Sequence, residues 1–149
     1  MSSNGVLLMA QAKNPGPARS HAAAEGDPDP FLSGLSVVVV EDEMMVSLLL
    51  EDMLGALGCQ DVIHAASVGT ALDEIEKAMP DVAVLDVNLG NEMVYPVAEK
   101  LNVAGVPFVF TTGYGRGAIK LEWAARPCVQ KPFNIGAFAS ALRAALGAT

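Results

Sequence analysis

The stretch VAVLDVNLG, residues 82–90, decides the reading of this chain. Its four leading apolar residues read as a buried strand that runs straight into Asp86. An ionised carboxylate beside a core is costly to hold unless something charged or hydrogen-bonding meets it. Some group elsewhere in the chain must therefore face Asp86.

Working outward, four further short apolar or β-branched runs share the character of 82–85: LSVVVV (35–40), DVIHAA (61–66), PFVFT (107–111) and PCVQ (127–130). Helical patterns separate them. Val46, Leu49, Leu50, Met53 and Leu57 lie on one helical face that Gly58 ends. Ser67 can cap a second helix with Val68, Leu72 and Ile75 inward, closed by Pro80, and Val94, Val97, Ala98 and Leu101 mark a third. A fourth helix, near 116–125, is weakly specified. Asn134 can cap the last one, on which Ile135, Phe138, Leu142 and Leu146 share a face before Gly147. Strands alternating with helices predict an α/β, doubly wound, five-stranded parallel sheet with helices on both faces.

The bulk properties are consistent with one such domain. Of 149 residues, 52% are hydrophobic and 17% charged, enough apolar material for a core. A net charge of −8 with nine scattered Lys and Arg argues against a nucleic-acid footprint. Cys59 and Cys128 form neither a disulfide framework nor a metal-spaced cluster, which suits a reduced, cytoplasmic setting. The run VLLMA (6–10) is too short for a membrane span. Residues 1–33, with Asn14-Pro15-Gly16-Pro17 and Asp27-Pro28-Asp29-Pro30, show no sustained period and read as a flexible tail before a domain at 34–149, although Val6 to Met9 offer a short docking segment.

In a doubly wound sheet the functional crevice lies beyond the carboxyl ends of the strands. Glu41-Asp42-Glu43, Asp86, Thr111-Thr112-Gly113 and Lys131-Pro132 all stand at such ends. Crowded carboxylates repel unless a divalent cation neutralises them, and an acid cluster without His or Cys predicts Mg²⁺ rather than zinc. With a phosphoryl group held there, Asp86 can attack phosphorus to form an acyl phosphate while Lys131 and a threonine hydroxyl meet the charge on its oxygens.

VVVVEDE, VAVLDVNLG, FVFTTG and VQKPF, in that order and spacing, resemble the receiver domain of two-component response regulators over nearly all of residues 35–147. The resemblance implies the flavodoxin-like strand order 2-1-3-4-5. It implies Asp86 as phosphoacceptor, Asp42 as a Mg²⁺ ligand with Glu41 nearby, the Asn88 backbone carbonyl as another ligand, Thr112 as the switch hydroxyl and Lys131 as the phosphate-binding lysine. It further implies a cis Lys131–Pro132 bond. On this pattern Thr111 is the neighbour of the switch residue, not its match. Two positions depart from the family: Cys128 stands where many receivers carry a switching Tyr or Phe, and Leu89-Gly90 replaces a frequent Met-Pro. The TTGYG segment is similar to a receiver subgroup often found without an output domain.

The leading expectation is therefore a stand-alone receiver, not an enzyme. It would be phosphorylated on Asp86 by a sensor histidine kinase or phosphotransfer protein, and would signal through the loop 112–117 and the fourth and fifth helices to a downstream protein target. No direct nucleic-acid or membrane partner is expected; family analogy adds a homodimer through the fourth helix, fifth strand and fifth helix. Two alternatives stand beside it. One is a receiver-like docking module that works without phosphorylation. The other is a haloacid-dehalogenase-type phosphatase, disfavoured because Asn88 stands where that superfamily needs an acid. His21, His64, Tyr114 and Trp123 are read as solvated or packing residues, and Cys128 as a small apolar one.

Overall fold

The computed structural model describes residues 29–147. The sequence readings of the segment before Asp29, including Val6 to Met9 and His21, lie outside the described residues. Five strands, β1 (Ser36–Val40), β2 (Asp61–Ala65), β3 (Val82–Asp86), β4 (Phe108–Thr112) and β5 (Cys128–Gln130), form one parallel sheet in the order β2-β1-β3-β4-β5. Four α-helices cover it: α1 (Met44–Ala56), α2 (Val68–Lys77), α3 (Tyr95–Val103) and α4 (Ile135–Ala145). This is the doubly wound parallel sheet that the alternation of runs predicts, in the flavodoxin-like order that the resemblance implies.

The central strand explains the continuous apolar run. All five residues of β3 are buried, because α1 and α4 cover one face of the sheet and α2 and α3 the other. Alternate residues serve the two layers. Val37, Val39, Val82, Val84, Val109 and Val129 pack with Leu50, Leu54, Phe138 and Leu142. Val38, Val40, Ala83, Leu85, Phe108 and Phe110 pack with Ile75, Val97, Leu101 and Trp123. Ser67 caps α2 by accepting from the Thr70 amide at 3.1 Å, and Asn134 caps α4 by accepting from the Ala137 amide at 2.8 Å.

Two expectations need correction. The helix expected near 116–125 does not form; two short 3₁₀ turns, Arg116–Ala118 and Leu121–Trp123, take its place. Gly115 just before this stretch and Gly117 within it give its first turn poor helix propensity, and it is closed instead by the Arg116 guanidinium, which donates to the carbonyls of Ala124 and Arg126. The inward face of α1 is rotated from the expected stripe: Ser47, Leu50 and Leu54 are buried while Leu49 is half exposed. The segment just before residue 34 packs against the domain. Leu32 is fully buried with Leu57 and its amide donates to the Leu57 carbonyl at 2.9 Å. Gly58, at φ +99°, turns so close beneath this segment that an added Cβ would lie 2.8 Å from Ser33 Oγ.

Candidate functional site

Parallel strands bring all their carboxyl ends to one edge, and there the structure joins residues 90 positions apart. Lys131 Nζ, just past β5, donates to Glu41 Oε1 at 3.0 Å and to Asp86 Oδ2 at 3.3 Å. The ammonium is the group that meets the buried carboxylate of the deciding stretch. Glu41 and Asp86 are themselves buried, whereas Asp42 is exposed. Carboxylate oxygens of Glu41, Asp42 and Asp86 all lie within 4.8 Å of one another. The second oxygen of Glu41, Oε2, accepts from the Glu43 amide at 3.1 Å. A cleft of about 430 Å³ opens over Asp42, Asp86, Asn88, Gly113, Tyr114 and Lys131.

The electrostatics follow from burial. Removal from water pushes the Glu41 carboxyl up to about 7, with the neighbouring Asp86 charge adding to the rise against the Glu43 amide and Lys131. Burial also raises Asp86, although Lys131, Glu41 and the Asn88 amide pull the other way. For Lys131, burial alone would favour the neutral amine; the hydrogen bonds and charges of Glu41 and Asp86 outweigh it and hold the ammonium above its ordinary range. Two acids and one ammonium thus share a partly dry site with an excess of carboxylate.

The donor set fits a hard divalent cation. All three acids offer oxygen, no thiolate or imidazole is among them, and the exposed Asp42 faces the cleft. Gly90, at φ +80°, turns beside Asp42, where an added Cβ would stand 3.4 Å from its Oδ2. Asn88 contributes its backbone to the turn and lies in the cleft lining. Thr112 sits at the same edge, but its hydroxyl is not joined to Asp86 or Lys131: Oγ1 accepts from the Tyr114 amide at 3.0 Å, and its carbonyl accepts from the Lys131 amide at 2.7 Å. The Lys131–Pro132 peptide is cis. Cys128 is half buried and packs toward the α2 and α3 layer, where burial pushes its thiol above the ordinary range.

Contacts between separate elements were not legible in the sequence. His64 is not solitary: its ring nitrogens meet Ser47 Oγ and Glu51 Oε1 across the α1–β2 gap. Glu92 reaches back to accept from the Val68 amide at 3.1 Å, tying the loop after β3 to α2. Both contacts join separate elements, so no local spacing carried them. The signal for Gly90 was present in the sequence, since a turn directly after a strand favours glycine at positive φ.

A family model for the response regulator receiver domain matches residues 37–143, and the chain belongs to that family, the signalling input module of two-component systems. It is 31% identical over 117 residues to the probable transcriptional regulator ycf27 of Guillardia theta, across 76% of this chain and 46% of that protein. Its identity with the sensory transduction protein LytT of Bacillus subtilis strain 168 is 31% over 104 residues, across 67% and 43%. The chain thus spans less than half the length of these curated relatives. Among solved structures, SdrG from Sphingomonas melonis Fr1 is 40% identical with a TM-score of 0.69, over 75% of this chain and 96% of that one. The BeF3-activated conformation of SdrG from Pseudomonas melonis Fr1 is 41% identical with a TM-score of 0.65, over 74% and 94%. Among the described residues, no helix is long and apolar enough to cross a membrane.

Proposed function

We propose that this receiver accepts a phosphoryl group on Asp86 from a histidine kinase or phosphotransfer protein, with Mg²⁺, and signals in the cytoplasm by a phosphorylation-dependent change in affinity for a partner protein. The observation that carries this reading is the buried Asp86 carboxylate held 3.3 Å from the Lys131 ammonium, beside an acid pair of hard-oxygen donors. Asp42, Asp86 and the Asn88 backbone carbonyl would hold the cation, with Glu41 nearby; bound there, it offsets the crowded negative charge of carboxylates and phosphoryl oxygens.

Asp86 is the nucleophile. Its oxygen forms a bond to phosphorus as the donor's leaving group departs with the electron pair. Lys131, already within reach, meets the phosphoryl oxygens, and Thr112 supplies a hydroxyl once its loop releases it from the Tyr114 amide. The similarity to a protein solved in a BeF3-activated conformation supports the reading, because a beryllium trifluoride adduct of a carboxylate mimics an acyl phosphate in shape and charge. Asn88, an amide two residues beyond the nucleophile, can neither protonate a leaving group nor activate water, which favours a signalling module over a turnover phosphatase.

Incubation with acetyl phosphate and Mg²⁺, followed by intact-mass analysis, is expected to show one base-labile phosphoryl adduct that Asp86→Asn abolishes. No adduct under any phosphodonor, or an adduct that survives Asp86→Asn, overturns the reading. A partner interaction indifferent to Asp86→Asn would select the phosphorylation-independent docking module instead.

A further inference from the structure

Thr111 and Thr112 are adjacent at the end of β4, and the strand turns them to opposite faces. Val109 packs into the α1 and α4 layer and Phe110 into the other, so Thr111 shares the face of Val109. The same alternation puts Asp86 on the face of Val84, Glu41 on that of Val39 and Lys131 on that of Val129. Register then sets Thr111 directly opposite Asp86 on the neighbouring strand, with Val129 on its other side. Thr111 has no solvent exposure at all, and its Oγ1 has no hydrogen-bond partner. Val is the isosteric residue that would fill this position without leaving a polar atom unpaired. A fully buried hydroxyl left unpaired beside the reacting carboxylate is costly and calls for an explanation.

We propose that the Thr111 hydroxyl stabilises the Asp86 carboxylate as it departs from phosphorus, and so sets the lifetime of the acyl phosphate. The inference rests on the aspartyl-phosphate reading above. In hydrolysis a water oxygen bonds to phosphorus and the bond from phosphorus to the Asp86 oxygen breaks. The electron pair returns to Asp86; one water proton stays on the released phosphate and the other goes to solvent. Negative charge on Asp86 is low in the acyl phosphate and grows as that bond breaks, so a donor that reaches it at that point binds the transition state more strongly than the ground state. A change of χ1 rotamer re-aims Oγ1 without moving the strand. Thr112, on the other face and bonded to the loop, is not placed for this task.

The test compares the full chain with Thr111→Val and Thr111→Ser. Each protein is loaded with acetyl phosphate and Mg²⁺, the donor is removed, and decay of the adduct is followed by intact mass. Thr111→Val is expected to lengthen the lifetime roughly tenfold, the lower end of what a hydrogen bond to a charged group contributes. Thr111→Ser should restore decay to within about twofold of the parent, since it keeps the donor. Thr111→Val should also melt no lower than the parent, because it removes an unpaired buried polar atom while keeping the shape. Equal lifetimes for parent and Thr111→Val, or a Ser variant as slow as Val, overturn the inference and leave the aspartyl-phosphate reading standing. A parent chain that never gains phosphate defeats that reading, and this inference with it.

Discussion

The metal-free domain is expected to be more stable in mild acid than at neutral pH. Glu41 is held at about 7 against an ordinary 4.5, so the folded state binds its proton more tightly than the unfolded chain does. Where the folded state holds the extra proton, stability falls as pH rises. The contribution is fully present below about 4.5 and is lost by the time pH passes 7. At 1.4 kcal/mol per unit, the Glu41 contribution lost across that window is roughly 3 kcal/mol. Asp86, raised in the same direction, adds to the slope. Lys131 titrates above its ordinary 10.5, so its contribution is constant across this window. For a domain of this size the Glu41 share corresponds to a fall in Tm of roughly 10 °C. Calorimetry in chelator at pH 5 and 7.5 measures it, and Glu41→Gln isolates it, since an amide cannot titrate. Saturating Mg²⁺ should flatten the slope by binding only the folded, ionised site. A Tm that rises with pH in chelator, or a slope unchanged in Glu41→Gln, refutes the reasoning.

Two further outcomes check the surroundings. Leu32→Ala should cost about 2–5 kcal/mol in a denaturant melt, because the side chain is fully buried against Leu57; a variant as stable as the parent would return residues 29–33 to the tail. Gly90→Ala should cost about 1–2 kcal/mol in a denaturant melt for its positive φ, whereas unchanged stability would show that the turn re-forms freely.

Most of the fold was legible because parallel strands covered on both faces must be apolar throughout, and those runs stand out at 37–40, 82–85 and 108–110. Helix ends were legible where a cap residue had local work to do, as at Ser67 and Asn134. The stripe on α1 was misplaced because its sequence is apolar nearly all round; Leu48, Leu49 and Leu50 satisfy several faces equally, and only packing on β1 and β2 selects Leu50 and Leu54. The 116–125 segment was uncertain for a related reason. Its final form depends on Arg116 reaching carbonyls eight and ten residues away and on Trp123 packing against Phe108 and Phe110. Glu41, Asp86 and Lys131 could be placed on one edge from topology alone, but their ion pairs depend on side-chain conformations that no spacing encodes. The burial of Leu32 could not be read from a segment whose prolines resemble those of the tail before it.

The residues that raise the cost of the resting state are concentrated at one place. Glu41 and Asp86 are acids with too little positive charge beside them, and Thr111 is a donor without an acceptor. A core built only for stability would replace each with an apolar residue of similar size. On the phosphoryl-acceptor reading proposed above, a bound cation would supply the missing positive charge, and occupation of the site would favour a different arrangement of the surrounding loops. The adjoining 113–127 connection contains no α-helix. Besides its packing, it is held by turn hydrogen bonds and by the Arg116 guanidinium. Within it Trp123 buries an indole N–H that has no partner. Local opening is easiest where regular hydrogen bonding is sparse, so on that reading the segment that Thr112 joins through the Tyr114 amide would rearrange more easily than the fully buried strands.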